Sequence, residues 1–376
     1  MGFAAALSVH PLATHAVGET VGHVLDTLGT EPDLVILFAG TAHTGALDDI
    51  AASIRHLLQP AVLVGTTTST VIGGRHEVDD GGGLSLLAAT GVAAQAFRTA
   101  PADLPAGTTA LLALADPFSA PIADLLRDSP VPVVGGLASA ARGPGGSRLV
   151  LDGAVHTDGA AVVALGNVAV ESIVSQGCRP VGAPLIVTRA SGTLVEELAG
   201  EPALARVRAI LSALSAEDVA LARHGLHLGR VVDESKATFD RGDFVVGPVL
   251  GADKRTGAVA VADEVTVGTT VQLHLRDAAT AAEDLRALLR GQGADAALLF
   301  TCQGRGTGLF GVPHHDAGAV SDALDDAPLA GMSCAGELGP VGGRSLLHGL
   351  SASVALLHAG PVPGGPRHRG YGRDGE

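Results

Sequence analysis

Asp33-Leu-Val-Ile-Leu-Phe38 is a short, unbroken apolar run. Its length and its polar start predict a buried strand. A helical segment through Ile50, Ile54 and Leu57 follows. Then come Ala61-Val-Leu-Val-Gly65, a Gly-rich turn, and Leu84-Ser-Leu-Leu-Ala88. The same order recurs twice. The second pass is Ala110-Leu-Leu-Ala-Leu114, a helix around Ile122 to Leu126, and Val131-Pro-Val-Val-Gly-Gly136. It ends in a predicted hairpin from Leu149-Val-Leu-Asp-Gly153 to Gly159-Ala-Ala-Val-Val-Ala-Leu165. The third runs from Ala296-Ala-Leu-Leu-Phe300 through a helix near Ala319 to Leu324, then Leu329-Ala-Gly331 and Ser351-Ala-Ser-Val-Ala-Leu-Leu357. Continuous apolar strands imply sheets covered on both faces. The expected fold is therefore α/β: two domains with mixed buried sheets and flanking helices, and a weak internal repetition of strand-helix-strand-turn-strand units.

A β-rich connector separates the second and third passes. Pro184-Leu-Ile-Val-Thr188 and Thr193-Leu-Val-Glu-Glu-Leu198 read as strands around a turn at Ser191 and Gly192. A helix starts after Pro202, since proline suits a first turn. Thr270-Val-Gln-Leu-His-Leu-Arg276 alternates, with Val271, Leu273 and Leu275 on one face. Asp277 caps the helix that follows. The boundaries predicted are 30–220 for the first domain, 221–358 for the second, and a disordered tail at 361–376.

Composition narrows the function. The chain has 376 residues, and 47% of them are hydrophobic. Aromatics make up only 2%, so Ala, Val and Leu must build the cores. The net charge of −15 repels a phosphate backbone. The one Arg cluster, Arg367, Arg369 and Arg373, lies in the tail. Neither a nucleic-acid partner nor a membrane partner is expected. No apolar run approaches the roughly 18 residues that a bilayer span needs. Three widely spaced cysteines make no disulfide framework. A cytoplasmic location is the reading that fits these features.

Chemistry concentrates at three turns. Cys302-Gln-Gly-Arg-Gly306 follows one predicted strand, and Ser333-Cys-Ala-Gly-Glu-Leu-Gly-Pro340 follows another. The third turn is Ser175-Gln-Gly-Cys-Arg-Pro180. Each places a thiol and a charge where the chain leaves the core, among glycines that let backbone approach a ligand. The candidate ligand-binding residues are Cys178, Arg179, Arg276, Cys302, Gly304, Arg305, Gly306 and Glu337. Arg305 is the sharpest of them, since a guanidinium grips a carboxylate with two parallel bonds. Glu337 is its expected partner.

The same segments resemble the FIST family, in which a FIST N domain precedes a FIST C domain. Pro32-Asp-Leu-Val-Ile-Leu-Phe38, Val64-Gly-Thr-Thr-Thr-Ser-Thr-Val-Ile-Gly73 with Glu77, Gln176-Gly-Cys-Arg-Pro-Val-Gly182 and Leu198-Ala-Gly-Glu-Pro-Ala-Leu204 carry the likeness in the first domain. Leu275-Arg-Asp277, Cys302 to Gly306 and Gly336-Glu-Leu-Gly-Pro340 carry it in the second. The resemblance implies a sensory, signal-transducing module for a small molecule such as an amino acid, with a signalling protein as a further partner. Relatives that carry an F-box imply protein recognition instead.

A Cys or Glu enzyme is the alternative read from the residues themselves. A nucleophilic Cys needs a base such as His within reach, and the sequence does not place one. Zinc ligands usually come in closely spaced pairs, which this chain lacks, so no metal is expected. Gly306-Thr-Gly-Leu-Phe-Gly311 has GxGxxG spacing. Pro313 interrupts the helix that a dinucleotide would need, and no cofactor is expected.

Overall fold

The computed structural model describes residues 1–79, 81–99, 101 and 103–360. The tail expected to be disordered lies outside them. The chain forms two compact units. Unit 1 comprises Met1–Val174, Leu285–Leu347 and the chain from Ser351. Unit 2 comprises Ser175–Asp284 with His348–Leu350.

Unit 1 is built from three copies of one motif. The first runs β1 (Gly2–Ser8), α1 (Ala13–Leu28), β2 (Leu34–Gly40), α2 (Leu47–Leu58), β3 (Val62–Thr68), a hairpin β4 (Val71–Gly73) and β5 (His76–Val78), and β6 (Leu84–Thr90). The second runs β7 (Ala93–Phe97), β8 (Thr108–Ala115), α3 (Ile122–Asp128), β9 (Val133–Leu137), a hairpin β10 (Leu149–Leu151) and β11 (Ala154–His156), and β12 (Ala160–Gly166). The third opens with β13 (Val168–Gln176). After unit 2 it resumes with α6 (Ala278–Leu289), β21 (Ala296–Cys302), the one-turn α7 (Thr307–Phe310) and α8 (His315–Ala323). It closes with β22 (Leu329–Cys334), a hairpin β23 (Glu337–Val341) and β24 (Arg344–His348), and β25 (Ser351–Ala359).

The three sheets share one topology. Their strand orders are β1-β6-β2-β3-β10-β11, β7-β12-β8-β9-β23-β24 and β13-β25-β21-β22-β4-β5. In each, a central strand pairs in parallel with the strand after its helix and antiparallel with the returning strand. The hairpins are exchanged around a ring: β4 joins β22, β10 joins β3 and β23 joins β9. The expected repetition is real, and each repeat completes a sheet belonging to another. One expectation is corrected here. Leu149–Leu151 does not form a hairpin with residues 159–165. It pairs with Ala154–His156 and β3, while β12 returns to β8.

Alternation explains the layers, because successive strand residues face opposite sides. Ile36 and Phe38, Leu112 and Leu114, Leu298 and Phe300 all enter one shared central core. Phe38 and Phe300 meet edge to face there, 6.1 Å between centroids. Val35, Leu37 and Ala39 turn outward under α1 and α2, and Ala297 and Leu299 pack with residues of α6 and α8.

Three equivalent glycines set the spacing. In register, Leu37 faces Gly65, Ala113 faces Gly135 and Leu299 faces Gly331. A Cβ on these glycines would lie 2.5, 2.0 and 2.0 Å from the facing carbonyl oxygen.

Unit 2 holds a seven-stranded sheet of order β14-β20-β17-β18-β19-β15-β16. Its strands are β14 (Cys178–Ser191), β15 (Leu194–Leu198), β16 (Glu201–Pro202), β17 (Leu226–Val231), β18 (Phe244–Ala252), β19 (Val259–Val261) and β20 (Thr270–Arg276). Two helices, α4 (Ala203–Ser212) and α5 (Ala216–Ala222), complete it. Val271, Leu273 and Leu275 share the apolar face, as their alternation predicts. Asp277 caps α6 by accepting from the Ala279 N–H at 3.0 Å and the Thr280 hydroxyl at 2.7 Å.

Gly331→Ala and Gly135→Ala should each destabilise unit 1 by about 1–3 kcal/mol or more, the cost of overpacking. Gly318→Ala, on α8 with nothing within 4 Å of the added Cβ, should instead stabilise by roughly 0.5–1 kcal/mol. Urea denaturation monitored by circular dichroism reads both signs.

Candidate functional site

The ends of β3, β9 and β22 meet in a cluster of hydroxyls. Ser69 and Ser139 each stand four residues beyond their repeat's close-approach glycine, and Ser333 stands two beyond Gly331. Ser69 Oγ and Ser333 Oγ lie 2.8 Å apart. The Ser139 hydroxyl donates to the Ser333 carbonyl at 2.7 Å and accepts from the Ser69 N–H at 3.0 Å. Thr68 donates to the Ser333 carbonyl at 2.8 Å. Backbone ties hold the ends in place, such as Ser333 N–H to the Thr70 carbonyl at 2.9 Å.

Gln303 covers the cluster from the end of β21. Its amide donates to Ser69 Oγ at 3.2 Å and to the Ser139 carbonyl at 2.9 Å. Thr68, Ser139 and Ser333 are buried, Ser69 is half-buried and Gln303 is exposed. The cluster thus reaches water through its Ser69 and Gln303 side. Hydroxyls both donate and accept, so such a group can reorient to suit a polar ligand. It contains no titratable base that would turn a serine into a nucleophile.

The predicted residues divide between the two units. Cys302, Gly304, Arg305, Gly306 and Glu337 all lie in unit 1, around the strand ends next to the hydroxyl cluster. Cys302 ends β21 opposite Cys334 in the parallel ladder, half-buried, with the Gly304 N–H donating to its sulfur at 3.4 Å. Burial pushes the Cys334 thiol well above its ordinary value, and the charges of Glu337 and Cys302 push it further. That is the reverse of nucleophilic activation.

Arg305 is buried, and its partner is Asp316 rather than the expected Glu337. Nε donates to Oδ2 at 2.5 Å and Nη2 to Oδ1 at 3.0 Å. The guanidinium lies 5.2 Å from the centroid of the Phe310 ring, and Nη1 has no hydrogen-bond partner among the described residues. Asp316 also contacts His315 Nδ1 at 3.0 Å. Its own N–H and that of Ala317 donate to Glu77 Oε1 at 2.9 and 2.8 Å. Burial opposes the Asp316 charge, but Arg305 and His315 outweigh it and hold the carboxyl at about 2. Glu337 accepts from the Ser351 hydroxyl at 2.7 Å and N–H at 3.2 Å, and its charge reaches Arg305. Gly306 opens only the single turn of α7, so the GxGxxG spacing lacks the helix that phosphate binding needs.

Cys178, Arg179 and Arg276 lie in unit 2. Cys178 and Arg276 are paired in the β14–β20 ladder, and Cys178 is buried with Val231, Phe244 and Val246. Arg179 bridges Asp277, at 3.1 Å, and Asp218. Arg276 Nε and Nη2 are buried without a hydrogen-bond partner among the described residues.

Ser69, Ser139, Ser333 and Gln303 were not singled out by sequence. Aligning the three passes on Gly65, Gly135 and Gly331 would have marked the two serines at the same offset.

Two family models match the chain. Residues 33–201 match the FIST N domain and residues 203–340 the FIST C domain. An uncharacterized protein of Mycobacterium bovis is 42% identical over 373 residues, covering 92% of this chain and 96% of the relative. One of Mycobacterium tuberculosis gives the same figures of 42%, 92% and 96%. A second from that species is 40% identical over 375 residues, covering 93% of this chain and 98% of its own length.

The burial of Arg305 changes what its loss should do. Arg305→Ala leaves Asp316 buried and uncompensated and should cost about 3–5 kcal/mol. The double change Arg305→Met with Asp316→Leu should recover most of that. The pair also fixes an acid response. The folded Asp316 pKa of about 2 lies below the ordinary 3.8, so its stabilisation is complete above about pH 4 and is lost as pH falls toward 2. The size is roughly 2 kcal/mol. Urea midpoints between pH 5 and 2 should show this extra fall in the wild type and not in the double variant.

Proposed function

The chain belongs to the FIST family, whose domains are generally signal-transduction sensors, and from that premise we propose that it senses an amino acid or small carboxylate at the strand ends where Ser69, Ser139, Ser333 and Gln303 converge. The observation that carries the reading is the convergence of these polar groups at the carboxyl ends of three parallel strand pairs. Ligands of α/β sheets settle outside such ends. The hydroxyls and the Gln303 amide supply neutral donors to a carboxylate, and Arg305 stands two residues beyond Gln303 with Nη1 unspent. A ligand amino group finds an acceptor in the Ser139 carbonyl, which the Gln303 amide occupies on one side only.

The raised Cys334 thiol and the absence of a base in the hydroxyl cluster favour binding over covalent chemistry. No helix among the described residues is long and apolar enough to cross a membrane. A cytoplasmic sensor that passes its state to a signalling protein fits the whole set.

Thermal-shift screening against amino acids and small mono- and dicarboxylates tests the reading. A true ligand at 100 times its Kd should stabilise the chain by about 2.7 kcal/mol. Combining Ser69→Ala with Gln303→Ala removes about 1 kcal/mol per lost hydrogen bond, so affinity should fall by roughly tenfold or more with the fold retained. No shift across the screen, or an equal shift in the double variant, would overturn the proposal.

A further inference from the structure

The three repeats are not equally clothed. The first carries α1, of 16 residues, between its opening strand and β2. The third carries α6, of 12 residues, immediately before β21. In the second, no helix is present among the described residues between β7 and β8. Leu37, Ala113 and Leu299 are equivalent, and across the antiparallel ladders they face Leu86, Val162 and Val354. Stepping back two positions on each strand, Val35 and Leu84 match Leu111 and Ala160, and both match Ala297 and Ala352.

In the first repeat this outer floor packs in one cluster with Ala16, Val17, Val21 and Val24 of α1. In the third it packs with Leu285 and Leu289 of α6. In the second, Leu111, Ala160 and Val162 pack with Ile122 of α3 and the half-buried Leu104 and Leu125, with no leading helix over them among the described residues, and they also line a cleft of about 480 Å³. Ile122 and Leu125 of α3 line it as well, together with Leu104.

We propose that this cleft binds a neutral, apolar small molecule, which takes the place that helix side chains take on the other two sheets. The volume selects the occupant. Small-molecule pockets run from about 300 to 1,000 Å³ with mostly apolar walls. The rim selects the charge. Asp124 and Asp128 both pair with the single guanidinium of Arg127, at 2.8 and 2.9 Å, so the rim keeps one net negative charge and repels anions. The site stands on the outer face of its sheet, whereas the hydroxyl cluster lies at strand ends, so it is separate from the sensing reading above.

The neutral fluorophore N-phenyl-1-naphthylamine tests the proposal by titration with the full chain. Saturable one-to-one binding with a blue-shifted emission is expected. Its anionic relative 1-anilinonaphthalene-8-sulfonate should bind at least tenfold more weakly at low salt. Ala160→Leu fills the floor and should weaken the neutral probe at least tenfold without lowering the melting temperature. Leu125→Gln alters only a half-buried wall position, and it decides the matter if Ala160→Leu does not fold. Ser69→Ala with Gln303→Ala should leave this binding unchanged. Absence of saturable binding, equal affinity in the folded Ala160→Leu and Leu125→Gln variants, or loss of binding on changing Ser69 and Gln303 would each overturn it.

Discussion

At Leu37 and Gly65, Ala113 and Gly135, and Leu299 and Gly331, a carbonyl of one strand occupies the space that a side chain would take on the next. Everything else in unit 1 follows from that approach. Parallel strands this close leave their carboxyl ends close as well. The hairpin residue that faces each glycine from the other side is Val150, Leu338 or Ile72, and it comes from a different repeat every time. The glycines therefore join the repeats to one another as well as joining strand to strand. A solenoid repeat contacts only its neighbours and leaves two ends to cap. Here the exchange of hairpins closes a ring of three, and no repeat can bury its edge alone.

The strands of this ring were readable because each is a continuous apolar run of the right length, from Asp33–Phe38 to Ser351–Leu357. The exchange was not readable. The hairpins are short, and nothing in Leu149–Leu151 distinguishes a partner in its own repeat from one in another. The reading of 149–153 with 159–165 was the locally sensible pairing, and it lost to an edge of β3 that sequence cannot display. The chemistry divides the same way. Arg305 was legible as a charge among glycines, but its partner was not. Asp316 lies outside the segments that the sequence singles out, and it is α8 that brings it to the guanidinium. Serines in Ala-, Thr- and Gly-rich stretches carry no signal of their own until three repeats bring them together.

Unit 2 shows the opposite balance. Its clean alternation at Val271, Leu273 and Leu275 predicted the buried face, and Asp277 predicted the cap. Arg179 adds a brace that uses the same Asp277 from a different side. A carboxylate that both caps a helix and receives a guanidinium is held by two independent demands, which favours one orientation of the β14 and β20 ends.

The departures from threefold repetition fall where the framework makes no demand. A symmetric framework with identical strand ends would offer three equal half-sites and no preferred ligand orientation. Three changes break that equality. Gln303 covers the hydroxyls only from the third repeat, where the first repeat has Thr41 and the second Asp116 at the position after its central strand. Unit 2 is inserted only into the third repeat. Among the described residues, the leading helix is missing from the second repeat alone. Stability asks that the glycines and the inward apolar positions stay alike in every copy, because each supports a neighbour's sheet. It asks nothing of residues just beyond the strand ends or of helices on the outer faces. Those positions are free to differ, and it is there that Gln303 and the second repeat's missing leading helix among the described residues set the three repeats apart.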